Sequence, residues 1–427
     1  MVIPKGVPRR TLLAGAIGSV LEWYDFSVFG AFTVVLAHVF FPGSDQVTAV
    51  LATFAVFGVG FLARPLGAII FGAYGDRIGR RRALILTVLL MAGPTTMMAI
   101  LPTPASIGIW ATILLIALRF VQGLSAGGEV AGAYTFLSEQ ARPGHYARTI
   151  NWSGWVTYVG IALGAAVAAA ITGLLPTNAV MSWGWRLAFA LNLVLLVIAF
   201  VLRRGLSETP EFERLQAEGG TAGNPVREAF RDVRREMAKG FLTSSLASVA
   251  IYFITAFMPA FLAMEQMLTL PQALCVTLFD IGVIIVFCFI SAHLADRRGA
   301  RRVALWGAGL MLILGLPFWW LATHHETGLV LIGQAGLAAM LGLFYTPQVT
   351  IINRSFPTRL RYVGHSISHN FCSAIFGGTA ALLATYLLKT TGNVLAPIAG
   401  VLVVAALAFV ACWMYPRRFA GEVEDSR

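Results

Sequence analysis

The stretch GAYGDRIGRRR, from Gly72 to Arg82, is a dense charged loop between two long apolar runs. Its pattern returns from Ala292 to Arg302 as AHLADRRGARR. Asp76 and Arg77 align with Asp296 and Arg297, Gly79 with Gly299, and Arg81 and Arg82 with Arg301 and Arg302. Each copy falls between the second and third hydrophobic segments of its half of the chain. A recurrence at about half the chain length implies a protein built from two related halves.

Composition fixes the solvent. Of 427 residues, 58% are hydrophobic and only 12% charged, with a mean hydropathy of +0.77. Soluble chains carry about 25% charged residues, so most of this surface must face lipid. The net charge of +11 does not point to nucleic acid, because the basic residues sit in short loops and not on one face of a soluble domain. Cys275, Cys288, Cys372 and Cys412 all fall in apolar segments without metal or disulfide spacing. No HExxH motif is present, and GLSAG (123–127), the one match to GxSxG, lies inside an apolar run, so nothing supports an intramembrane enzyme. No cleavable signal peptide is expected, since the first apolar run continues to about Phe41 and contains Glu22 and Asp25.

A spanning helix needs about 20 mostly apolar residues. That ruler gives twelve segments: 12–40, 48–73, 83–101, 107–138, 149–174 and 184–203, then 240–264, 271–294, 303–322, 328–353, 362–388 and 394–415. The fold expected is an all-α membrane protein, twelve helices in two pseudo-symmetric six-helix bundles. Its divisions are an N-terminal bundle (1–203), a central loop (204–238), a C-terminal bundle (239–415) and a short tail (416–427). Pro94, Pro259, Pro317 and Pro347 are tolerable in such a bundle, and Gly160 with Gly164 suggests close helix contact.

Basic residues collect on one side: Lys5, Arg9, Arg10, then Arg77 to Arg82, Arg142, Arg148, Arg297 to Arg302, Arg359, Arg361, Arg417 and Arg418. Lys389 is the exception on the other side. The positive-inside rule then places both termini and the central loop in the cytoplasm. Arg227, Glu228, Arg231, Arg234 and Arg235 recur at helical spacing in the central loop. They predict a short amphipathic helix on the inner face, or a plain linker between the bundles.

Charges inside a bilayer are costly and hence candidate functional groups. Glu22 and Asp25 lie about 16 and 20 Å along the first helix, near the midplane, and share a face. Arg119 lies about 18 Å from the outer end of the fourth segment, also near the midplane, with Glu129 deeper toward the cytoplasm. The reading is a proton relay, in which a proton and an arginine compete for one carboxylate; the alternative is a permanent buried salt bridge. Arg64 in the second segment has a packing, gating or substrate role. In the second half, Asp280, Tyr345, Gln348, His365, His369 and Asn370 are candidates to line a polar substrate cavity. His365 and His369 share a face but have no third ligand nearby, so no metal is expected. The two charged loops, with Gly72, Asp76, Arg77, Gly79, Arg80, Arg81, Asp296, Arg297 and Gly299, read as a cytoplasmic gate. An aspartate at the inner end of one helix would cap a neighbouring helix and latch the bundles together.

These residues resemble a known family. GAYGDRIGRR is similar to the signature loop of the major facilitator superfamily. LEWYDF (21–26), FLARPLGA (61–68), RFVQGLSAGGEVAGA (119–133), SWGWR (182–186), ETPEF (208–212) and AIFGG (374–378) resemble its metabolite:proton symporter branch. That branch includes citrate, α-ketoglutarate, shikimate and proline/betaine symporters. The resemblance runs from Leu13 to Gly392 and implies alternating access driven by the proton gradient, with no cofactor. It also implies coupling residues in the first and fourth helices, which fall here on Glu22, Asp25, Arg119 and Glu129. The departures lie in the second half: Ala292 and Ala300 in the second loop, Arg354 before Phe356-Pro357, Thr379 to Ala381 where a proline is expected, and His365 and His369. The short tail is unlike that of osmosensing members. The expectation is a monomeric, multi-pass carrier of the bacterial inner membrane that imports a small organic acid, a di- or tricarboxylate, with protons. A zwitterion symporter, an antiporter or exporter on the same fold, and a transport-like metabolite sensor are the alternatives.

Overall fold

The computed structural model describes residues 9–78, 80–127, 134, 144–204, 225–356 and 358–416. Among them eight helices are long and apolar enough to cross a membrane, one more span is a bent pair, and three apolar helices are shorter. Together they make the twelve spans expected. In hydrocarbon every backbone group must be satisfied within its own segment, which is why long apolar runs become helices here.

In the N-terminal bundle the spans are Arg9–Ala31 continued by Thr33–Phe40, Gln46–Ile78, Arg80–Ala99, Trp110–Ala126, Tyr146–Leu174 and Trp185–Arg204. The first is bent by 63° at Phe32, and the Thr33 hydroxyl returns to the Phe29 carbonyl beside the break. In the C-terminal bundle the seventh span runs Arg234–Tyr252, a π-helical turn Phe253–Phe257, then Met258–Met264. Leu270–Arg298, Ala300–Ala322 and Thr327–Ser355 follow. The eleventh span is Thr358–Cys372, a π turn Ser373–Gly377 and Gly378–Thr391; Ile398–Trp413 closes the set. A third π turn, Val180–Gly184, opens the sixth span.

The central segment differs in its boundary from the sequence reading. A short helix, Pro225–Asp232, is followed at once by the seventh span, which begins at Arg234. Arg234 and Arg235 therefore belong to a membrane helix, and the amphipathic piece is two turns long. Its Ala229, with Val233 and Met237, packs under Ile352, Phe356 and Leu360 where the tenth span ends and the eleventh begins.

Glycines set the closest helix contacts. A Cβ on Gly123 would stand 1.8 Å from the Gly60 carbonyl oxygen, one on Gly67 1.7 Å from that of Leu124, and one on Gly127 2.1 Å from that of Arg64. The second and fourth spans thus meet backbone to backbone along a seam. Gly160 and Gly164 bring the fifth span similarly close to the first, against Val20 and Ser27.

The bundles also meet on both sides of the membrane. On one side Gly58 abuts the Gly378 carbonyl at 2.9 Å and Gly30 abuts Ala256 at 3.2 Å, measured from the Cβ each glycine lacks. Lys389 pairs with Asp45 at 3.6 Å and donates to the Thr48 hydroxyl. The hydroxyl and backbone N–H of Thr48 hold the Asp45 carboxyl below its usual range, so this exposed contact is lost only as the pH falls through that lowered value. Toward the other side, Thr346 donates to Asn151 at 2.8 Å and Asn370 to the Gly127 carbonyl at 3.1 Å. The state is occluded across the described residues.

Candidate functional site

Two arginine–carboxylate pairs occupy the centre of the N-terminal bundle. Arg64 donates from Nη2 to Glu22 Oε1 at 2.9 Å, and Arg119 donates from Nη1 to Asp25 Oδ2 at 3.2 Å. All four side chains are fully buried. The glycine seam explains the placement: the backbones of Arg64 and Arg119 lie against Gly127 and Gly60 respectively, so both guanidinium groups leave one tightly joined helix pair toward the first span. Sequence alone leads to the Asp25–Arg119 pairing; it does not supply the partner of Arg64, because the register between spans one and two is set by packing.

Around Asp25 the site is more elaborate than its charges suggest. Gln122 donates to Asp25 Oδ1 at 3.0 Å and to the Thr95 hydroxyl at 2.6 Å, while accepting from Arg119 at 2.9 Å. Gln122 and Thr95 were missed by reasoning from charge. A signal existed: Gln122 stands one turn from Arg119 in RFVQG, on the same helix face. The Phe26 ring lies between the two pairs, 4.5 Å from the Arg64 guanidinium carbon and 5.1 Å from that of Arg119. Phe29 and Phe57 complete an aromatic collar on Arg119. Cation–π contact of this kind compensates part of the lost hydration. Each arginine keeps unused donors: Nε and Nη1 of Arg64, and Nε and Nη2 of Arg119, have no hydrogen-bond partner among the described residues.

Next to this centre, a cavity of about 20 Å³ lies between the bundles, lined by Trp23, Tyr134, Ser248, Tyr252, Gln348 and His369 among others. That is room for about one water, so a substrate can enter only if the bundles part. Trp23 stacks on Tyr252 with ring centroids 6.1 Å apart. The Tyr134 and Tyr345 hydroxyls are 3.0 Å apart, and Tyr134 stacks on His365 at 5.7 Å, nearly parallel. Of the cavity residues expected from sequence, Tyr345, Gln348 and His369 line it; His365 lies one turn along, behind Tyr134. Asn370 instead ties the eleventh span to the fourth. Arg64 is engaged with Glu22. Asp280 is fully buried but is not among the residues lining this cavity. Trp23, Tyr134 and Tyr252 were not anticipated.

At the end of the eighth span, Asp296 accepts from the backbone N–H of Ala147 at 2.9 Å and of Arg148 at 3.4 Å, and pairs with the Arg148 side chain at 3.2 Å. An anion at a helix N-terminus is stabilised by free N–H groups and the helix dipole. The eighth span of one bundle is thereby fastened to the fifth span of the other. Gly299 has φ +89°, a backbone region that favours glycine, which accounts for its place in the turn. Arg301 donates to the last carbonyls of the twelfth span, Cys412 and Trp413, at 3.2 and 2.7 Å, and Arg297 is exposed. Gly79 and Glu129 lie outside the described residues; of Gly72, Asp76, Arg77, Arg80 and Arg81 the backbone alone is described, helical to Ile78 and again from Arg80. Among the described residues no cluster of His, Cys, Asp and Glu could hold a metal ion.

Comparison with known proteins places this geometry. Residues 15–378 match the family model of the Major Facilitator Superfamily. The citrate-proton symporter of Klebsiella pneumoniae is 31% identical, over 100% of this chain and 96% of that protein. The ectoine/proline transporter ProP of Corynebacterium glutamicum is 33% identical over 96% of this chain and 84% of its own length, and the proline/betaine transporter of Escherichia coli K12 is 30% identical over 96% and 83%. A crystal structure of a D-xylose-proton symporter superposes with a TM-score of 0.77 at 15% identity, covering 95% of this chain and 97% of that one. The chain is a multi-pass membrane protein and belongs to the Major Facilitator Superfamily.

Proposed function

We propose that the protein is a proton-coupled symporter that imports a small organic anion, a di- or tricarboxylate or a related acid, across the bacterial inner membrane. In this reading it works as a monomer, with both termini in the cytoplasm and no cofactor beyond the proton gradient. One observation carries it: two fully buried arginine–carboxylate pairs with spare N–H donors beside a cavity shared by both bundles. A proton arriving at Asp25 removes the charge that holds Arg119. The released guanidinium can then take a substrate carboxylate. Proton and substrate bind in support of each other because each relieves the charge the other creates. The K. pneumoniae relative, a citrate-proton symporter, fits this chemistry.

A second reading has its own support. The wall formed by Trp23, Tyr134, Tyr252 and Tyr345 offers ring faces to a quaternary ammonium, while the arginines take its carboxylate. The proline/betaine relatives fit a zwitterion of that kind. Uptake of labelled citrate and of glycine betaine, each competed with mono-, di- and tricarboxylates, decides between the two when repeated with an uncoupler. The expected result is uncoupler-sensitive citrate uptake with alkalinisation of the medium. Acidification on substrate addition would mean exchange, and betaine uptake immune to citrate would establish the second reading.

The Asp296 contact reads as an inner latch. Asp296→Asn removes the anion from the helix N-terminus, and the interaction at stake is about 0.3–2 kcal/mol. The inward-open population should rise severalfold, measured as faster alkylation of a cysteine placed in the inner half of the cavity. An unchanged alkylation rate would remove the latch.

A further inference from the structure

We propose that Asp280 is a second proton-carrying site of the transport cycle, located in the C-terminal bundle. Asp280 is fully buried, and neither carboxyl oxygen has a hydrogen-bond partner among the described residues. Glu22 and Asp25 have arginines; among the described residues Asp280 has none. The spans packed against the eighth carry Tyr158 and Arg148 on the fifth, Tyr252 and Glu265 on the seventh, Arg301 and Arg302 on the ninth, and Tyr345 and Arg354 on the tenth. None of these forms a hydrogen bond or ion pair with Asp280 among the described residues. Arg148 and Arg301 are engaged at the inner face.

Its placement argues against an accident of the lipid surface. Asp280 lies about 15 Å from the outer start of the eighth span, Leu270. It shares a helix face with Ser291, roughly three turns further in, whose hydroxyl donates to the Gly342 carbonyl of the tenth span at 3.0 Å. The lipid-facing side of the same helix is marked by Phe279, Val286 and Ile290. On the tenth span, Gln334 is buried with both amide atoms unpartnered among the described residues. Gly342 packs against Ile284 and Phe287; counted from there toward the start of each span, Asp280 lies about 6–10 Å and Gln334 about 12 Å away. A carboxyl and an amide, each lacking partners among the described residues, thus stand within about one turn of each other in height on neighbouring parallel helices.

An ionised carboxylate buried without a partner is far costlier than the neutral acid, so in the occluded state Asp280 holds its proton. Loading is a transfer from hydronium to the carboxylate, which forms the acid and leaves water. When the bundle opens and water reaches the group, the reverse transfer releases the proton. With Asp25 this makes two proton sites, one in each bundle: Asp25 decides whether substrate moves with protons at all, and Asp280 sets how many cross with it. The idea rests on the proton-symport reading.

Two measurements test it on the full-length protein. Infrared difference spectra across a pH step should contain a carboxylic-acid carbonyl band that Asp280→Asn removes and Asp25→Asn leaves. Asp280→Glu should keep that band at a shifted frequency, which also serves if the asparagine variant folds poorly. In proteoliposomes carrying a trapped pH dye, with citrate and glycine betaine as parallel probes, the protons moved per substrate should fall by one in Asp280→Asn and be restored in Asp280→Glu. A band untouched by both substitutions, an unchanged proton ratio, or uptake driven by sodium and lost in Asp280→Asn would overturn the proposal. Absence of proton-coupled uptake of either probe in the wild type would count against the symport reading, while the infrared band still decides whether Asp280 carries a proton.

Discussion

Asp25→Asn is expected to abolish accumulation of substrate against its gradient while exchange of labelled for unlabelled substrate continues. Asparagine keeps the size of the side chain and can still bond with Gln122, which now touches Asp25 Oδ1 at 3.0 Å. What it removes is the charge that Arg119 and the proton compete for. Each pH unit across the membrane is worth about 1.4 kcal/mol per proton, a tenfold accumulation. Without coupling through Asp25 that factor should be lost, and internal substrate should level off near the external concentration. Accumulation and counterflow measured in the same proteoliposomes separate the two effects. Loss of counterflow as well would make Asp25 a substrate-binding or packing residue.

Gly123→Val should disrupt the N-terminal bundle more severely than any single change of a charged residue. The added Cβ would meet the Gly60 carbonyl oxygen at 1.8 Å, and the obstacle is backbone, not a side chain that can turn away. The second and fourth spans would have to separate by more than an ångström, moving Arg64 and Arg119 with them. Overpacking typically costs about 1–3 kcal/mol, and the loss of close helix approach adds to it. The expected result is a drop of at least about tenfold in the yield of monodisperse protein. Gly93→Ala is the control, since a Cβ there meets nothing within 4 Å. Wild-type yield and uptake in Gly123→Val would show that the seam is not needed.

Much of the architecture was legible because a bilayer imposes a length. Apolar runs of the right size had no other way to satisfy their backbone, and a repeated charged loop fixed the halves. The heights of Asp25 and Arg119 followed from the rise per residue. What remained hidden depends on register between helices, which no single-chain periodicity contains. The Arg64–Glu22 pair, Gln122 and Thr95 are of this kind. The aromatic wall was hidden for a different reason: with 11% aromatic residues, Trp23, Tyr134 and Tyr252 do not stand out until the bundles are set against each other. The π turns at Phe253–Phe257 and Ser373–Gly377 likewise leave no charge signature.

The shared ring of Phe26 has a consequence for electroneutrality. Among the described residues, Arg64 and Arg119 on either side of that ring are balanced by Glu22 and Asp25, so the centre is neutral when unloaded. One proton leaves a single excess positive charge under the ring, and a second would leave two, among fully buried side chains where charge is weakly screened. A monoanionic group arriving with one proton restores balance, whereas a neutral sugar or a bare cation does not. Selection of carboxylate-bearing cargo would then be written into the sum of four charges held around one benzyl side chain, before any group in the cavity touches the rest of the molecule.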